Sequence, residues 1–158
     1  MLAAARSLGR LALLDLSACA SACTTHSVRE LAEGCPMLHT LKCFGCFHLG
    51  DDGVAPLAAR CGATLRRLDL SACDIGDASL HAIATHCSAL RRLDVNGCTE
   101  VTDGALLRVL DTCLELHTLG RSNLAEEQAE GQLDATLISA TLRRRVKALR
   151  TGAHGPGF

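Results

Sequence analysis

The chain has 158 residues, of which 48% are hydrophobic and only 2% aromatic, with neither Trp nor Tyr. This length fits one domain, and the composition predicts a core of aliphatic side chains arranged in thin layers. A formal net charge of -1 offers no electrostatic basis for binding nucleic acid, and no apolar run approaches the length of a membrane span, so we expect neither partner.

The N-terminal segment, residues 1–22, is rich in Leu and Ala and superficially resembles a targeting peptide, with two Arg and no acidic residue before Asp15. Asp15 interrupts the apolar run, and residues 11–19 match the repeated motif described next. We therefore expect this segment to be part of the folded protein rather than to be removed.

A nine-residue motif recurs along the chain every 25 to 27 residues, with the frame Leu-x-x-Leu-x-Leu-x-x-Cys. A constant period of this length is typical of a solenoid, and the frame is that of a leucine-rich repeat. In the fifth copy, Arg121 stands at a core position and Leu124 replaces the cysteine, so we interpret this copy as the last strand before a cap. The five copies begin at Leu11, Leu38, Leu65, Leu90 and Leu116.

Each motif is followed by apolar residues at helical spacing, which predict one helix per repeat. Asp77 and Asp103 stand three residues before the apolar faces of the third and fourth helices, and we expect them to cap these helices. The predicted fold class is α/β, a right-handed leucine-rich-repeat solenoid over residues 1–124. It has about 4.5 repeats, each with one short parallel strand and one helix.

Residues 125–150 depart from the repeat period and predict a helical C-terminal cap. An apolar stripe in this segment is suited to closing the open end of the core, as solenoids require. We interpret the basic residues between Arg143 and Arg150 as a solvated helix face, with a basic docking patch as the alternative. Residues 151–158 should form a disordered tail.

Eight of the ten cysteines recur in two columns, one after the strands and one after the helices. A thiol fits an apolar slot too small for Leu, and its weak S–H donor can reach a nearby carbonyl. Because repetition in a column is not pairing, we expect reduced, structural thiols in a protein of the cytoplasm, with the nucleus as a further site. The columns are Cys19, Cys46, Cys73 and Cys98 after the strands, and Cys35, Cys61, Cys87 and Cys113 after the helices.

The remaining cysteines need a separate interpretation. Cys43, Cys46 and His48 spell Cys-x-x-Cys-x-His, a pattern that zinc sites and redox pairs also use. Positions three apart in a strand face opposite sides unless the chain bends, and no second ligand pair at zinc-finger spacing follows. We therefore expect Cys43 to occupy a leucine position, with no metal and no cofactor. The sequence offers no role for Cys23.

Two units, LRRLDLSACDIGDASLHAIATHC and LRRLDVNGCTEVTDGALLRVLDTC, resemble the cysteine-containing leucine-rich repeats of F-box/leucine-rich-repeat proteins and of the antagonist of mitotic exit network family. The VTDGAL turn at residues 101–106 and the cysteine columns carry this resemblance, which covers residues 11–124. It implies repeats that hold a substrate protein for an SCF-type, cullin-RING ubiquitin ligase, leading to proteasomal degradation. The alternative is a general leucine-rich-repeat scaffold or inhibitor without a ubiquitin-ligase link.

The segment before the first repeat limits what the resemblance implies. Only ten residues precede Leu11, too few for an F-box, so cullin-RING ligase components are expected partners only if an F-box lies upstream. The chain is then either a piece of a longer protein or a member of a branch with repeats alone. No phosphate-binding loop, His-Glu-x-x-His or Gly-x-Ser-x-Gly motif is present, and we expect no enzymatic activity.

The residues that alternate with the buried leucines of each strand are expected to line the concave wall of the solenoid. Phe44 is the one large aromatic residue predicted on this face, and aromatic and Arg side chains most often dominate protein binding. We therefore expect a monomer that binds a protein partner there. The partner-contacting candidates are Lys42, Phe44, Arg67, Asp69, Arg92, Asp94 and Asn96.

Overall fold

A computed structural model of the protein describes residues 9–121. Within this range, five short strands alternate with four helices, which confirms the predicted α/β repeat of one strand and one helix. The cap predicted at 125–150 and the tail at 151–158 lie outside the described residues. The strands are β1 (Leu13–Asp15), β2 (Thr40–Lys42), β3 (Arg67–Asp69), β4 (Arg92–Asp94) and β5 (Thr118–Gly120), and the helices are α1 (Thr25–Gly34), α2 (Asp51–Cys61), α3 (Asp77–His86) and α4 (Asp103–Thr112).

The five strands form one parallel sheet in the order β1-β2-β3-β4-β5, so each strand lies beside that of the preceding repeat. The central leucines pair across the sheet, with Leu41 opposite Leu68 and Leu68 opposite Leu93. The helices form a second layer in which α1 packs on α2, α2 on α3 and α3 on α4. Each repeat therefore buries its apolar face only against its neighbours, as in a solenoid. None of the helices between residues 9 and 121 has the length and apolarity needed to cross a membrane.

Each repeat helps to begin the helix of the next repeat. Helices α2 and α3 follow Gly50 and Gly76, which have no side chain with which to cap them. The Gly50 N–H donates to Thr25 Oγ1 at 3.0 Å, and the N–H groups of Gly76 and Ser79 donate to Asp51 Oδ1 at 2.9 and 3.1 Å. Side chains at the first position of one helix thus satisfy the unpaired donors of the next helix.

The prediction that Asp77 and Asp103 cap their own helices is wrong, because each is the first residue of its helix rather than the residue before it. Asp77 instead accepts hydrogen bonds from the N–H and the hydroxyl of Thr102 in the next repeat, both at 2.7 Å. Asp103 pairs with Arg121, whose side chain is 8% exposed and occupies the predicted core position. Local spacing could not reveal these partners, since they lie 18 to 25 residues away.

Except for Cys19, the cysteines after the strands are buried and hydrogen-bonded to the preceding repeat. The thiols of Cys46, Cys73 and Cys98 donate to backbone carbonyls of the preceding repeat at 3.3, 3.1 and 3.1 Å. These bonds confirm that the S–H groups reach carbonyls. Cys19 differs, because its side chain is exposed. No repeat precedes it among the described residues, so it lacks the neighbour that covers the other three.

The cysteines after the helices are buried in the same way. Cys61 donates to the Cys35 carbonyl at 3.4 Å, and Cys113 to the Ile83 carbonyl at 3.8 Å. Burial raises the pKa of the Cys61 thiol to about 11 and that of Cys87 to about 12. These thiols therefore stay protonated at neutral pH and behave as small apolar groups. No disulfide joins any of the ten cysteines in the structure.

Cys23, Cys43 and Cys46 form a fully buried thiol cluster. The chain turns immediately after β2, so Cys43 and Cys46 both lie in the core, whereas a strand that continued straight would have turned one of them outward. The Cys43 thiol donates a hydrogen bond to Cys23, which lowers the pKa of Cys23 to about 7, whereas the same bond and burial raise the pKa of Cys43. The side chain of His48 is exposed and is not part of this cluster. Cys23 thus fills space in the core beside Cys43.

Serine replacements should separate the buried columns from the exposed thiol. Cys87→Ser is expected to lower the free energy of unfolding by about 1.5 kcal/mol, because its hydroxyl would be buried with no acceptor among residues 9–121. Cys73→Ser should cost less, since its hydroxyl can donate to the Cys43 carbonyl. Cys19→Ser, which is exposed, should change stability by less than about 0.5 kcal/mol. Urea unfolding measures all three, and an equal loss in each would contradict a structural role for the columns.

Candidate functional site

Strand register arranges the outward side chains in rows that cross the sheet. Adjacent parallel strands lie about 4.8 Å apart, so neighbours in a row are in reach of each other. The rows line a groove of about 440 Å³. The first row is Leu13, Thr40, Arg67, Arg92 and Thr118, and the second is Asp15, Lys42, Asp69, Asp94 and Gly120.

The groove brings together five of the seven residues predicted to contact a partner, Lys42, Arg67, Asp69, Arg92 and Asp94. Leu13, Thr40 and Leu68 complete its lining. Leu13 and Thr40 have the same strand position as Arg67 and Arg92, so an alignment of the repeats already predicts that they face the groove.

Phe44 and Asn96 lie outside the groove lining, in a third row that follows the strands. Backbone bonds hold this row in line, with Gly45 N–H donating to the Ser71 carbonyl at 2.9 Å and Ala72 N–H to the Asn96 carbonyl at 2.7 Å. Phe44 is exposed. It therefore adds an apolar contact beside the charged rows of the groove.

Lys42 and Asp15 form an ion pair across β1 and β2, with Nζ and Oδ2 3.1 Å apart. Hydrogen bonds from Ser17 and then the Lys42 ammonium lower the pKa of Asp15 to about 2. Both side chains are close to half exposed, so the pair contributes little to stability. It can open to meet a partner at small cost.

Asp94 differs from the expectation of an outward contact residue, because it is only 7% exposed. Its Oδ2 accepts a hydrogen bond from Arg92 Nε at 2.7 Å, which raises the pKa of Arg92. Gly120 leaves the space that Asp94 occupies, since a Cβ at position 120 would lie 2.1 Å from Asp94 Oδ1. Asp94 therefore orients Arg92, and the sequence analysis missed the part played by Gly120.

Arg67 has no ion pair and no side-chain hydrogen bond within residues 9–121. The nearby Asp69 accepts a hydrogen bond from the Ser71 N–H at 3.0 Å instead. An exposed guanidinium with five donors is thus available on the groove wall.

Exposed apolar side chains lie both in the groove and beside it. Leu13 is 59% exposed at one end, and Phe44 and Phe47 are 53% and 64% exposed beyond β2. Phe47 was not among the predicted contact residues, because the sequence did not show that it lies outside the core. Among residues 9–121, no three His, Cys, Asp or Glu side chains are placed to hold a metal ion. The site therefore offers charge and apolar contact for a ligand.

Comparison with known sequences finds the same repeat. A family model described as Leucine Rich repeat matches residues 63–84, the third motif and most of its helix. The chain is 34% identical over 107 residues to Antagonist of mitotic exit network protein 1 of Eremothecium gossypii, in a match covering 66% of this chain and 27% of that protein. The chain thus spans about a quarter of the length of this curated relative.

Solved structures of low sequence identity share the fold. The tropomodulin C-terminal domain of Caenorhabditis elegans is 13% identical with a TM-score of 0.64, over 98% of this chain and 96% of that one. Leiomodin-1 actin-binding site 2 is 14% identical with a TM-score of 0.66, over 96% and 90%. A chain of the yeast Rad7 and Elc1 complex is 21% identical with a TM-score of 0.60, over 76% and 31%. At these identities the likeness establishes the fold alone.

Proposed function

The chain is a leucine-rich-repeat protein, and on this basis we propose that it recognises a protein substrate through the concave groove for a cullin-RING ubiquitin-ligase system. Leucine-rich repeats are modules for protein–protein interaction. The observation that carries the proposal is that exposed arginines and the exposed Phe44 share one wall. These are the residue types on which protein interfaces most often depend.

The ligase context is supported by the cysteine-containing repeats, which resemble those of F-box/leucine-rich-repeat proteins. Among the proteins of similar fold, one structure is a complex of Rad7 with Elc1 and another is an actin-binding site, so this fold can present a surface to a protein. Buried cysteines without disulfides suit a reducing compartment, and we propose that the protein resides in the cytoplasm or nucleus.

A binding role without catalysis fits the chemistry of the groove. Its lining supplies Leu, Thr, Lys, Arg and Asp side chains, with neither Cys nor His. Of the side chains that enzymes use as nucleophiles, the lining holds Thr40, Lys42 and two aspartates, and it has no His to act as their general base. We therefore propose that this surface binds a partner and does not catalyse a covalent reaction.

Two substitutions test the groove as the partner site. Phe44→Ala and Arg67→Glu should each weaken capture of the bound protein by at least about 1 kcal/mol, or roughly fivefold, while the melting temperature stays nearly unchanged. Outward side chains add little to the core. Leu107→Ala, an exposed apolar truncation on α4, is the matched control and should bind like the parent. Unchanged binding by both groove variants would place the partner site elsewhere, such as on the turn that carries Phe47.

Affinity purification of the full-length gene product tests the proposed link to a ubiquitin ligase. Quantitative mass spectrometry should detect the adaptor of a cullin-RING ligase together with the captured substrate. If the groove variants lose a partner but no adaptor is recovered with the parent, the chain is a scaffold or inhibitor that uses the same wall.

A further inference from the structure

Four arginines occupy the start of two adjacent strands. Arg67 begins β3 and Arg92 begins β4, directly opposite each other, and Arg66 and Arg91 immediately precede these strands. The N–H groups of Arg91 and Arg92 donate to the Arg66 carbonyl at 2.8 and 3.0 Å, which holds the two pairs side by side. All four are exposed. We call these residues the arginine block.

The arginine block is only partly neutralised by its own chain. Arg91 faces Glu115 with Nη2 and Oε2 3.7 Å apart, but both side chains are at least half exposed, so this pair is weak. The bond from Arg92 to Asp94 uses Nε and leaves its terminal nitrogens for another acceptor. Arg66 and Arg67 have no ion pair or side-chain hydrogen bond within the described range. Like charges opposite each other on neighbouring strands destabilise a sheet, so an external anion would relieve this repulsion.

Resting on the proposed function, we infer that the arginine block is the docking site for an acidic segment of the protein partner. Guanidinium groups match carboxylates with two parallel hydrogen bonds, which a lysine cannot do. Two neighbouring pairs of arginines offer such forks to several Asp or Glu side chains at once. The exposed Leu13 and Phe44 extend the same wall and provide apolar contacts for the rest of the segment.

A protein segment fits this surface better than nucleic acid does. Directly beside Arg67 and Arg92, the second row places Asp69 and Asp94 along the groove. A peptide can set carboxylates over the arginines and neutral or basic side chains over the aspartates, whereas a phosphate backbone is uniformly negative. The formal net charge of -1 also provides no long-range attraction for nucleic acid.

Fluorescence anisotropy with three labelled probes tests the inference. The probes are a peptide of alternating glutamate and serine, the same peptide with glutamine for glutamate, and a thymidine oligonucleotide of equal charge. The glutamate peptide should bind the parent protein at least about tenfold more tightly than the glutamine peptide, and its affinity should fall as salt is raised. The oligonucleotide should bind more weakly than the glutamate peptide.

Charge-reversal variants test where on the protein the glutamate peptide binds. The double variant Arg66→Glu, Arg67→Glu should lose at least about tenfold in affinity for the glutamate peptide. The double variant Arg29→Glu, Arg60→Glu makes the same charge change at exposed positions of α1 and α2, and should stay within about twofold of the parent. Circular dichroism confirms that both variants are folded. Equal losses in the two variants would mean a general charge effect and would overturn the docking site.

Two further outcomes also overturn the inference. Equal affinity for the glutamate and glutamine peptides would show that carboxylates are not recognised, and tighter binding of the oligonucleotide, lost in Arg66→Glu, Arg67→Glu, would assign the block to nucleic acid. The proposed function is tested separately by Phe44→Ala. If that variant loses the protein partner while no probe prefers glutamate, the groove binds a protein but its partner is not acidic.

Discussion

Replacement of Gly62 by alanine is expected to lower the free energy of unfolding by about 3 kcal/mol, the upper part of the range for an overpacked core. Gly62 is buried at the end of α2, where the backbone of α3 approaches it. An added Cβ would lie 2.5 Å from the His86 carbonyl oxygen and 2.3 Å from that of Ala58. Both atoms belong to the backbone, so relief requires the end of α2 to distort at Ala58 and α3 to move away at His86. Urea unfolding followed by circular dichroism measures the loss.

Gly104→Ala is the matched control for this substitution. Gly104 lies in the first turn of α4, and the nearest atom to an added Cβ is Thr102 Oγ1 at 3.7 Å, an ordinary contact. Alanine should therefore stabilise the protein by about 0.5 to 1 kcal/mol through its higher helix propensity. A similar change in stability for both variants, in either direction, would contradict the close approach of α2 and α3.

Asp51→Ala should lower the free energy of unfolding by about 2 kcal/mol, since hydrogen bonds to a charged group are worth more than neutral ones. Asp51 lies at the start of α2 but accepts hydrogen bonds from the Gly76 N–H, the Ser79 N–H and the Ser79 hydroxyl at the start of α3. Ser79 is fully buried, so its hydroxyl would find no water in place of the carboxylate. Gly76 offers no cap of its own.

The neighbouring Asp52 provides the control for Asp51. Both residues lie in the first turn of α2, so alanine at either position removes the same favourable charge from the helix N-terminus. Asp52 is exposed, and Asp52→Ala should change stability by less than about 0.5 kcal/mol. Asp51→Asn keeps one acceptor oxygen and should fall between the two. Equal effects of Asp51→Ala and Asp52→Ala in urea unfolding would exclude capping between repeats.

The arginine block and the groove place most of the predicted contact residues on one wall, and this part of the site followed from the sequence. Lys42, Arg67 and Arg92 could be assigned to the outer face because they alternate with leucines that must be buried. The partners of these charges could not be assigned in the same way. Which arginine is paired depends on side-chain distances across neighbouring strands, and these appear only when the rows are assembled.

The sequence by itself determined the repeated unit of the protein. The 25-to-27-residue period placed one strand and one helix in each repeat, and the recurring cysteines marked where each strand and helix ends. These features are local, because a strand and a helix each impose their own period on the apolar residues. The solenoid then follows, since every unit must cover the apolar face of the next.

Tertiary structure alone decided which repeat supplies the partner of each polar group. Asp51 caps the helix after its own, and Asp77 accepts hydrogen bonds from Thr102, the residue that caps the helix after its own. Asp94 is buried because Gly120 leaves room for it, and Cys23 joins a cluster with Cys43. Each of these contacts joins residues that are 20 to 28 positions apart in the chain but adjacent in the stack. Hydrogen bonding and burial depend on this proximity in space, and the spacing of residues within one repeat does not reveal it.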